Sequence, residues 1–236
     1  MKKVLALFAM LFLGVSTALA GDRADDVSRL DESAKILGEI MNAGDKGIPE
    51  EIIGSAKCIA VVPSMLKGGF VVGANYGKGV ASCRSEKGWS APAFFSVKGG
   101  SFGFQIGGQA VDLIMLIMND KGMNNLLQSK FKLGADASVA AGPVGRHADA
   151  STDWKMRAEV LTYSRARGVF AGVSLNGAVI TQHQDDTRSF YGRMVPFKTI
   201  LLGNVDAPKD AETWRSALTK YGGSGVEKSA QKSASK

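Results

Sequence analysis

Glycine is the residue that most constrains how this chain can fold, since it supplies 29 of the 236 residues, against only 6 prolines. From Gly54 onward the glycines separate short apolar runs instead of forming one tract. Glycine without proline is typical of closely packed strands and tight turns, not of a disordered linker. A hydrophobic fraction of 45% and a charged fraction of 22% are ordinary for a folded domain. We therefore expect one globular domain that is rich in strands.

The first twenty residues have the composition of a secretory signal peptide. Met1-Lys2-Lys3 is positively charged, an uncharged apolar run extends to Val15, and Ala18-Leu19-Ala20 supplies small residues for cleavage. A membrane anchor is the alternative, but it needs about 20 apolar residues, and this run has about 12. We expect residues 1–20 to be removed and the protein to be exported, periplasmic or secreted, and peripheral to a membrane. Residues 21–221 would then form the domain, and residues 222–236 a disordered basic tail.

Hydrophobic periodicity predicts an α+β fold with mostly antiparallel strands. Apolar residues recur every three or four positions between Asp22 and Ala43, which predicts an N-terminal amphipathic helix whose acidic residues outnumber its basic ones. Further helices are predicted near Pro49, at 119–128 and, at the C-terminal end of the domain, at 210–221. Strands are predicted at 57–63, 69–76, 79–84, 91–97, 101–111, 111–118, 134–141, 159–165, 169–175 and 178–182. A hairpin turn is predicted at Tyr76-Gly77-Lys78-Gly79.

The two cysteines, Cys58 and Cys83, lie in strand-like runs, and export would permit a disulfide between them. In a simple meander of strands at 57–62, 69–76 and 79–85, the first and third strands flank the second, about 9 to 10 Å apart. A disulfide joins Cα atoms within about 7 Å. This arrangement favours two packed thiols, with a disulfide as the alternative topology.

The residues that could carry catalysis or bind a metal are few. His147 and His183 are the only histidines, so we expect no metal site and no cofactor. Ser174 and His183, with Asp186 nearby, suggest a hydrolase, but the Gly-x-Ser-x-Gly elbow is not matched. Asp112, within an apolar run, is either a functional carboxylate or a buried acid bonded to backbone. No phosphate-binding loop or nucleic-acid module is present in the sequence, so we expect no nucleic-acid partner.

Basic residues dominate the first strand-rich region, and the whole chain carries a formal charge of +7. Between Ile52 and Val111, Glu86 is the single acidic residue, whereas the basic residues are Lys57, Lys67, Lys78, Arg84, Lys87 and Lys98. Met65-Leu66-Lys67-Gly68 is predicted to be a loop that could enter a lipid headgroup region. The alternative is that Met65 and Leu66 pack under the edge of the sheet.

Several ordered motifs between Pro49 and Gly203 resemble the SYLF lipid-binding domain family. The motifs are Lys67-Gly68-Gly69-Phe70, Gly77-Lys78-Gly79, Gly88-Trp89-Ser90-Ala91-Pro92-Ala93-Phe94, Gly107-Gly108-Gln109-Ala110-Val111-Asp112, Lys132-Leu133-Gly134-Ala135-Asp136-Ala137-Ser138, Ala141-Gly142-Pro143-Val144-Gly145, Tyr163-Ser164-Arg165 and Gly168-Val169-Phe170-Ala171-Gly172-Val173-Ser174. The resemblance implies a non-enzymatic domain that binds phospholipids, phosphoinositides in particular. It also implies that some eukaryotic members bind and bundle actin through this domain.

Charge and resemblance together predict that the chain binds anionic phospholipids at a membrane surface. The predicted lipid-binding residues are Lys67, Lys78, Arg84 and Lys98, assisted by Met65 and Leu66. The first alternative is a structural or protein-interaction module of the cell envelope, in which the acidic helix and the basic sheet contact a protein partner. The second alternative is an envelope hydrolase.

Overall fold

The computed structural model describes residues 18–44, 47–69, 72–102, 107–144, 158–166, 169–170 and 175–225. Most of the predicted signal peptide and most of the predicted basic tail lie outside these residues, as do His147 and Ser174. Within the described residues, the chain has the predicted α+β architecture, with a mostly antiparallel sheet and helices at both ends.

The helices pack mainly on one face of the sheet. They are α1 (Ala18–Met41), α2 (Glu50–Ser55), α3 (Asp120–Leu126), α4 (Gln184–Tyr191), α5 (Phe197–Leu201) and α6 (Glu212–Gly222), with a 3-10 turn at Lys209–Ala211. In α1, Leu30, Leu37 and Ile40 are fully buried, which confirms the predicted amphipathic helix. The predictions of α3 and α6 are also confirmed. Sequence periodicity missed α4 and α5, which are short.

The strands of the described residues form one sheet, apart from the short pairing of β3 with β2. Their bounds are β1 (Cys58–Gly69), β2 (Val72–Ser85), β3 (Gly88–Trp89), β4 (Ala93–Phe102), β5 (Gly107–Ile117), β6 (Lys130–Lys132), β7 (Val139–Ala141), β8 (Val160–Ala166), β9 (Val169–Phe170) and β10 (Val179–Gln182). The order across the sheet is β6-β10-β4-β2-β1-β5-β8-β7. Neighbours are antiparallel, except that β7 is parallel to β8.

The sheet has to curl because β6 and β7, at its opposite edges, come from one short stretch of chain. Eight strands laid flat would put the two edges about 34 Å apart. The chain from Lys132 to Val139 can span at most about 24 Å. One hydrophobic cluster contains side chains from both edges, including Phe131 of β6 and the partly buried Val139 of β7, so this cluster fills the concave side. A second cluster, on the convex side, packs the sheet against α1, α2 and α6.

Strand β2 is continuous through Gly77-Lys78-Gly79, so the predicted hairpin turn is wrong. These glycines are needed for packing instead, since a Cβ on Gly79 would lie 2.5 Å from the Val61 carbonyl oxygen and 2.7 Å from the Phe95 ring. Because β2 is one long strand, it pairs directly with β1 and places Cys58 opposite Cys83, and the two form a disulfide. The favoured interpretation as two separate thiols is therefore wrong.

A bulge interrupts β1 between Val62 and Met65, where three residue steps of β1 face two steps of β5. Ser64, inside the bulge, has a left-handed φ of 48°. Its backbone N–H donates to Asp112 Oδ1 at 3.0 Å, so Asp112 is bonded to backbone, but its side chain is 24% exposed and not buried. Because of the extra residue, each side chain of β1 after the bulge points to the opposite face of the sheet from the one that simple alternation would give. Met65 consequently points into the concave core, and Leu66 points to the convex face.

Other strand predictions differ in extent from the strands that the structure describes. The predicted strand 101–111 contains the connection between β4, which ends at Phe102, and β5, which begins at Gly107. The predicted strand 134–141 retains only its last three residues as β7. Of the predicted strand 169–175, Val169–Phe170 form β9, and residues 171–174 lie outside the described residues.

We expect Gly79→Ala to lower the free energy of unfolding by about 1 to 3 kcal/mol, because its methyl group would overpack the interface with β1 and β4. Gly100→Ala, in the neighbouring strand β4, is the matched control. A Cβ there meets nothing closer than the Gly73 carbonyl oxygen at 3.9 Å, so its effect should stay within about 0.5 kcal/mol. Urea unfolding of both variants tests this, and equal losses would contradict the packing role of Gly79.

Candidate functional site

An exposed strip crosses the convex face of the sheet where α1 no longer covers it. Leu66, Tyr76 and Lys98 are register partners on β1, β2 and β4, so their side chains lie side by side on one face. Leu66 is 61% exposed and Tyr76 is 41% exposed. The Lys98 ammonium lies 5.7 Å from the centre of the Tyr76 ring. The strip therefore combines two adjacent apolar side chains with a cation.

The next row of the same face is almost flat. Gly68, Ala74 and Gly100 are register partners on the same three strands, and all three are exposed. None carries a side chain larger than a methyl group, so another element can approach the backbone closely here. We define these three residues, together with Leu66, Tyr76 and Lys98, as the exposed strip.

A groove of about 280 Å³ separates the exposed strip from α1. The side of the groove formed by α1 carries residues spaced three or four positions apart, namely Asp25, Ser28, Arg29 and Glu32. Its floor is formed by β1 and β2, and includes Leu66, Tyr76 and Lys78. Asp25 and Glu32 are exposed, and no ion-pair partner for either occurs in the described part of the chain. The wall formed by α1 is therefore acidic.

Buried charges attach α1 to the sheet beside this groove. Arg29 of α1 donates from Nη1 to Asp26 Oδ1 at 3.0 Å and to Asp186 Oδ2 at 2.8 Å. Lys78 of β2 donates from Nζ to Asp186 Oδ1 at 3.0 Å. Asp186 belongs to α4, whose first turn is capped by the ring of His183. Three elements that are distant in sequence thus meet at one carboxylate.

The two carboxyl groups of this cluster titrate in opposite directions. Burial, reinforced by the nearby charge of Asp186, raises the pKa of Asp26 to about 6. Burial also disfavours ionisation of Asp186, but contacts with His183 and Lys78 and the charge of Arg29 outweigh it and lower the pKa of Asp186 to about 2. Asp26 is fully buried, and its Oδ2 has no hydrogen-bond partner among the residues that the structure describes.

The structure separates the six residues predicted to bind lipid. Only Leu66 and Lys98 are exposed side by side on the convex face. The predicted loop at 65–68 is part of strand β1, and Met65 is fully buried in the concave core. Lys67 lies on the same side of β1 as Met65, and its register partner is the buried Asn75. Met65 therefore cannot assist Leu66 at a membrane, and the interpretation that it packs beneath the sheet holds.

Two of the predicted cations make contacts inside the protein. Lys78 forms an ion pair with Asp186. Arg84 donates to the backbone carbonyl oxygens of Gly54, Ala56 and Gly222, at the ends of α2 and α6. Its guanidinium lies 4.6 Å from the centre of the Trp89 ring, and burial lowers its pKa. Arg84 is six positions along β2 from Lys78, about 20 Å away, and serves to join helix ends to the sheet.

Asp26→Asn should remove one pH dependence of stability. A pKa of about 6 in the fold, against about 4 in the unfolded chain, gives stabilisation that is complete below about pH 4. That stabilisation of about 1 to 3 kcal/mol is lost as the pH rises through about 6. Asp26→Asn should therefore be more stable than wild type near neutral pH.

Urea unfolding between about pH 4 and 8 measures this difference. Asp25→Asn, at the exposed neighbouring position, is the matched control and should follow the wild-type curve. Parallel curves for wild type and Asp26→Asn would contradict the raised pKa of the buried Asp26 carboxyl group.

Comparison with known proteins places these features in a family. Residues 98–221 match the family model described as "Ysc84: Las17-binding protein actin regulator". Over 201 residues, the chain is 34% identical to SH3 domain-containing YSC84-like protein 1 of Rattus norvegicus, covering 82% of this chain and 59% of that protein. The same protein of Homo sapiens is also 34% identical, over 82% of this chain and 58% of its own length.

A yeast relative extends the similarity. Protein YSC84 of Saccharomyces cerevisiae is 31% identical over 194 residues, which cover 78% of this chain and 41% of that protein. The chain thus spans at most 59% of the length of these relatives. No helix in the described ranges is both long and apolar enough to cross a membrane. The matched motifs and the family model agree, and the chain belongs to the Ysc84 family, the SYLF family that its sequence motifs predict.

Proposed function

We propose that this chain is a non-enzymatic module that binds a protein partner on the exposed strip and in the adjoining groove. The observation that carries the proposal is the pairing of Leu66 with Tyr76, two large apolar side chains that are adjacent and exposed. Adjacent exposed apolar groups indicate an interaction site, and tyrosine is enriched at such sites. The acidic wall of α1 and the cation of Lys98 add polar groups that can fix the orientation of a partner.

The names of the relatives support a protein partner. The matching family model describes a Las17-binding protein and actin regulator, and one yeast relative is named LAS seventeen-binding protein 3. Those names describe proteins much longer than this chain. We therefore carry over the class of activity, contact with another protein, and not the identity of the partner.

We also propose that the protein works outside the cytoplasm, as its first twenty residues predict. The disulfide between Cys58 and Cys83 supports this compartment, because such bonds persist mainly in oxidising environments. Envelope proteins and other exported proteins are therefore the pool from which a partner would come.

Site-specific photo-crosslinking tests for a protein partner. We expect a photoreactive amino acid at Leu66 to form a covalent adduct, of higher mass and sensitive to protease, in the cells that produce the chain. The same amino acid at Glu51, exposed on α2, is the matched control and should form none. Adducts of equal yield at both positions, or none at Leu66, would contradict the proposed surface.

An anionic phospholipid surface is the second candidate ligand. Leu66 can enter the acyl boundary while Lys98 contacts phosphate, and Lys132 lies in the same row at the edge of the sheet. If this candidate is right, Lys98→Glu should reduce flotation with phosphatidylserine vesicles several-fold at moderate salt. Lys35→Glu, on an exposed position of α1, is the control. Equal flotation on neutral and anionic vesicles would rule out the electrostatic mechanism.

A further inference from the structure

We propose that the partner of the exposed strip is an amphipathic α-helix that lies alongside α1 with basic residues on its edge towards α1. This inference rests on the proposed function and adds the shape and the charge of the partner segment. It is carried by three features of the described residues: the flatness of the strip, its position within the sheet, and the charge of the neighbouring wall.

The row of Gly68, Ala74 and Gly100 within the strip is flat, and the fold of this chain does not require it to be flat. Gly79 has no room for a Cβ, whereas a Cβ on Gly100 would meet nothing closer than 3.9 Å. Gly68 and Ala74 continue the same flat row on β1 and β2. A row of small residues lets a packed helix approach a backbone closely. Space for a second helix is thus available beside α1.

The centre of the strip, at Leu66 and Tyr76, lies inside the sheet, where an extended strand cannot be added. Strand β1 is paired with β2 and β5, β2 with β1 and β4, and β4 with β2 and β10. The backbone N–H and C=O groups of Leu66 and Tyr76 are therefore already used in the sheet, whereas Gly100 of β4 lies beyond Lys98, the last residue of β4 in register with β10. An extended peptide lying across Leu66 and Tyr76 would find no ladder to join, whereas a helix satisfies its own backbone groups. The geometry therefore favours a helical partner over an extended one.

The dimensions of the strip set the length of the partner helix. The row through Leu66 runs across six strands, with Ala110 at one end and Val179 and Lys132 at the other. Five strand spacings correspond to about 24 Å. A helix of about 16 residues covers this distance. One face of that helix needs small or apolar residues to contact Leu66, Tyr76 and Ala74.

The charges beside the strip define the polar edges of the partner. Asp25 and Glu32 face the groove from α1 and have no ion-pair partner among the residues described. A partner with Lys or Arg along that edge would supply the missing charge. Lys98 lies towards the other end of the row. Among the described residues, its side-chain ammonium contacts only the Tyr76 ring. An acidic residue at the end of the partner would match it.

Two designed peptides of about 16 residues provide the probes. The first peptide carries a stripe of Ala and Leu with Lys along one edge. The second has the same sequence, except that two central residues are replaced by proline to prevent a helix. Binding of labelled peptide to the whole chain is measured by fluorescence anisotropy at moderate salt. We expect the helical peptide to bind at least tenfold more tightly than the proline peptide.

Matched substitutions on α1 test the charge of the groove. Glu32→Lys should weaken binding of the helical peptide several-fold, whereas Asp31→Lys, the adjacent exposed position outside the groove, should leave binding unchanged. Leu66→Asp should weaken binding at least tenfold, and Leu202→Asp, an exposed control on another surface, should not. These positions are exposed, so the folded state is expected to survive each change.

Competition with the photo-crosslink separates this inference from the proposed function. We expect the helical peptide to suppress the adduct at Leu66. If the adduct forms and the proline peptide suppresses it as well as the helical one, the partner is not a helix, and the protein-binding function stands. If no adduct forms at Leu66 and neither peptide binds, both proposals fail. Binding that is indifferent to Glu32→Lys overturns the basic edge.

Discussion

One extra residue in β1 determines which side chains the open end of the sheet presents to solvent. The bulge between Val62 and Met65 reverses the facing of the strand, and Asp112 holds it through the backbone N–H of Ser64. Without this residue, Met65 would face outward and Leu66 would enter the concave core. The exposed strip, the floor of the groove and the packing beneath them all depend on this local irregularity.

Much of this fold is visible in the sequence because it is local. The period of Leu30, Leu37 and Ile40 identifies α1, and the ordered glycine motifs identify the family. The pairing of Cys58 with Cys83 was missed because Gly77-Lys78-Gly79 has the composition of a turn but packs as strand. The contact of Arg29 with Asp186 joins residues 157 positions apart, and a single sequence carries no signal for it.

Part of the positive charge of the chain serves to assemble it. Arg84 binds carbonyl oxygens at the ends of two helices, and Lys78 helps to neutralise the buried Asp186. A count of lysine and arginine along the sequence therefore overestimates the cationic surface that a ligand can meet. The Lys98 ammonium is exposed, and no carboxylate of the described residues pairs with it. Partner recognition at this face consequently depends on a few charges placed around an apolar centre.

The origin of both sheet edges in one short stretch of chain has a consequence for solubility. In the described part of the chain, the outermost strands β6 and β7 are only three residues long, although the central strands of the sheet are long. Long unpaired edges recruit strands from other copies and start aggregation. A glycine-rich sheet with long central strands would be at risk of such aggregation while it folds. Because the outermost strands β6 and β7 are so short, they offer other copies of the chain few unpaired backbone groups to pair with.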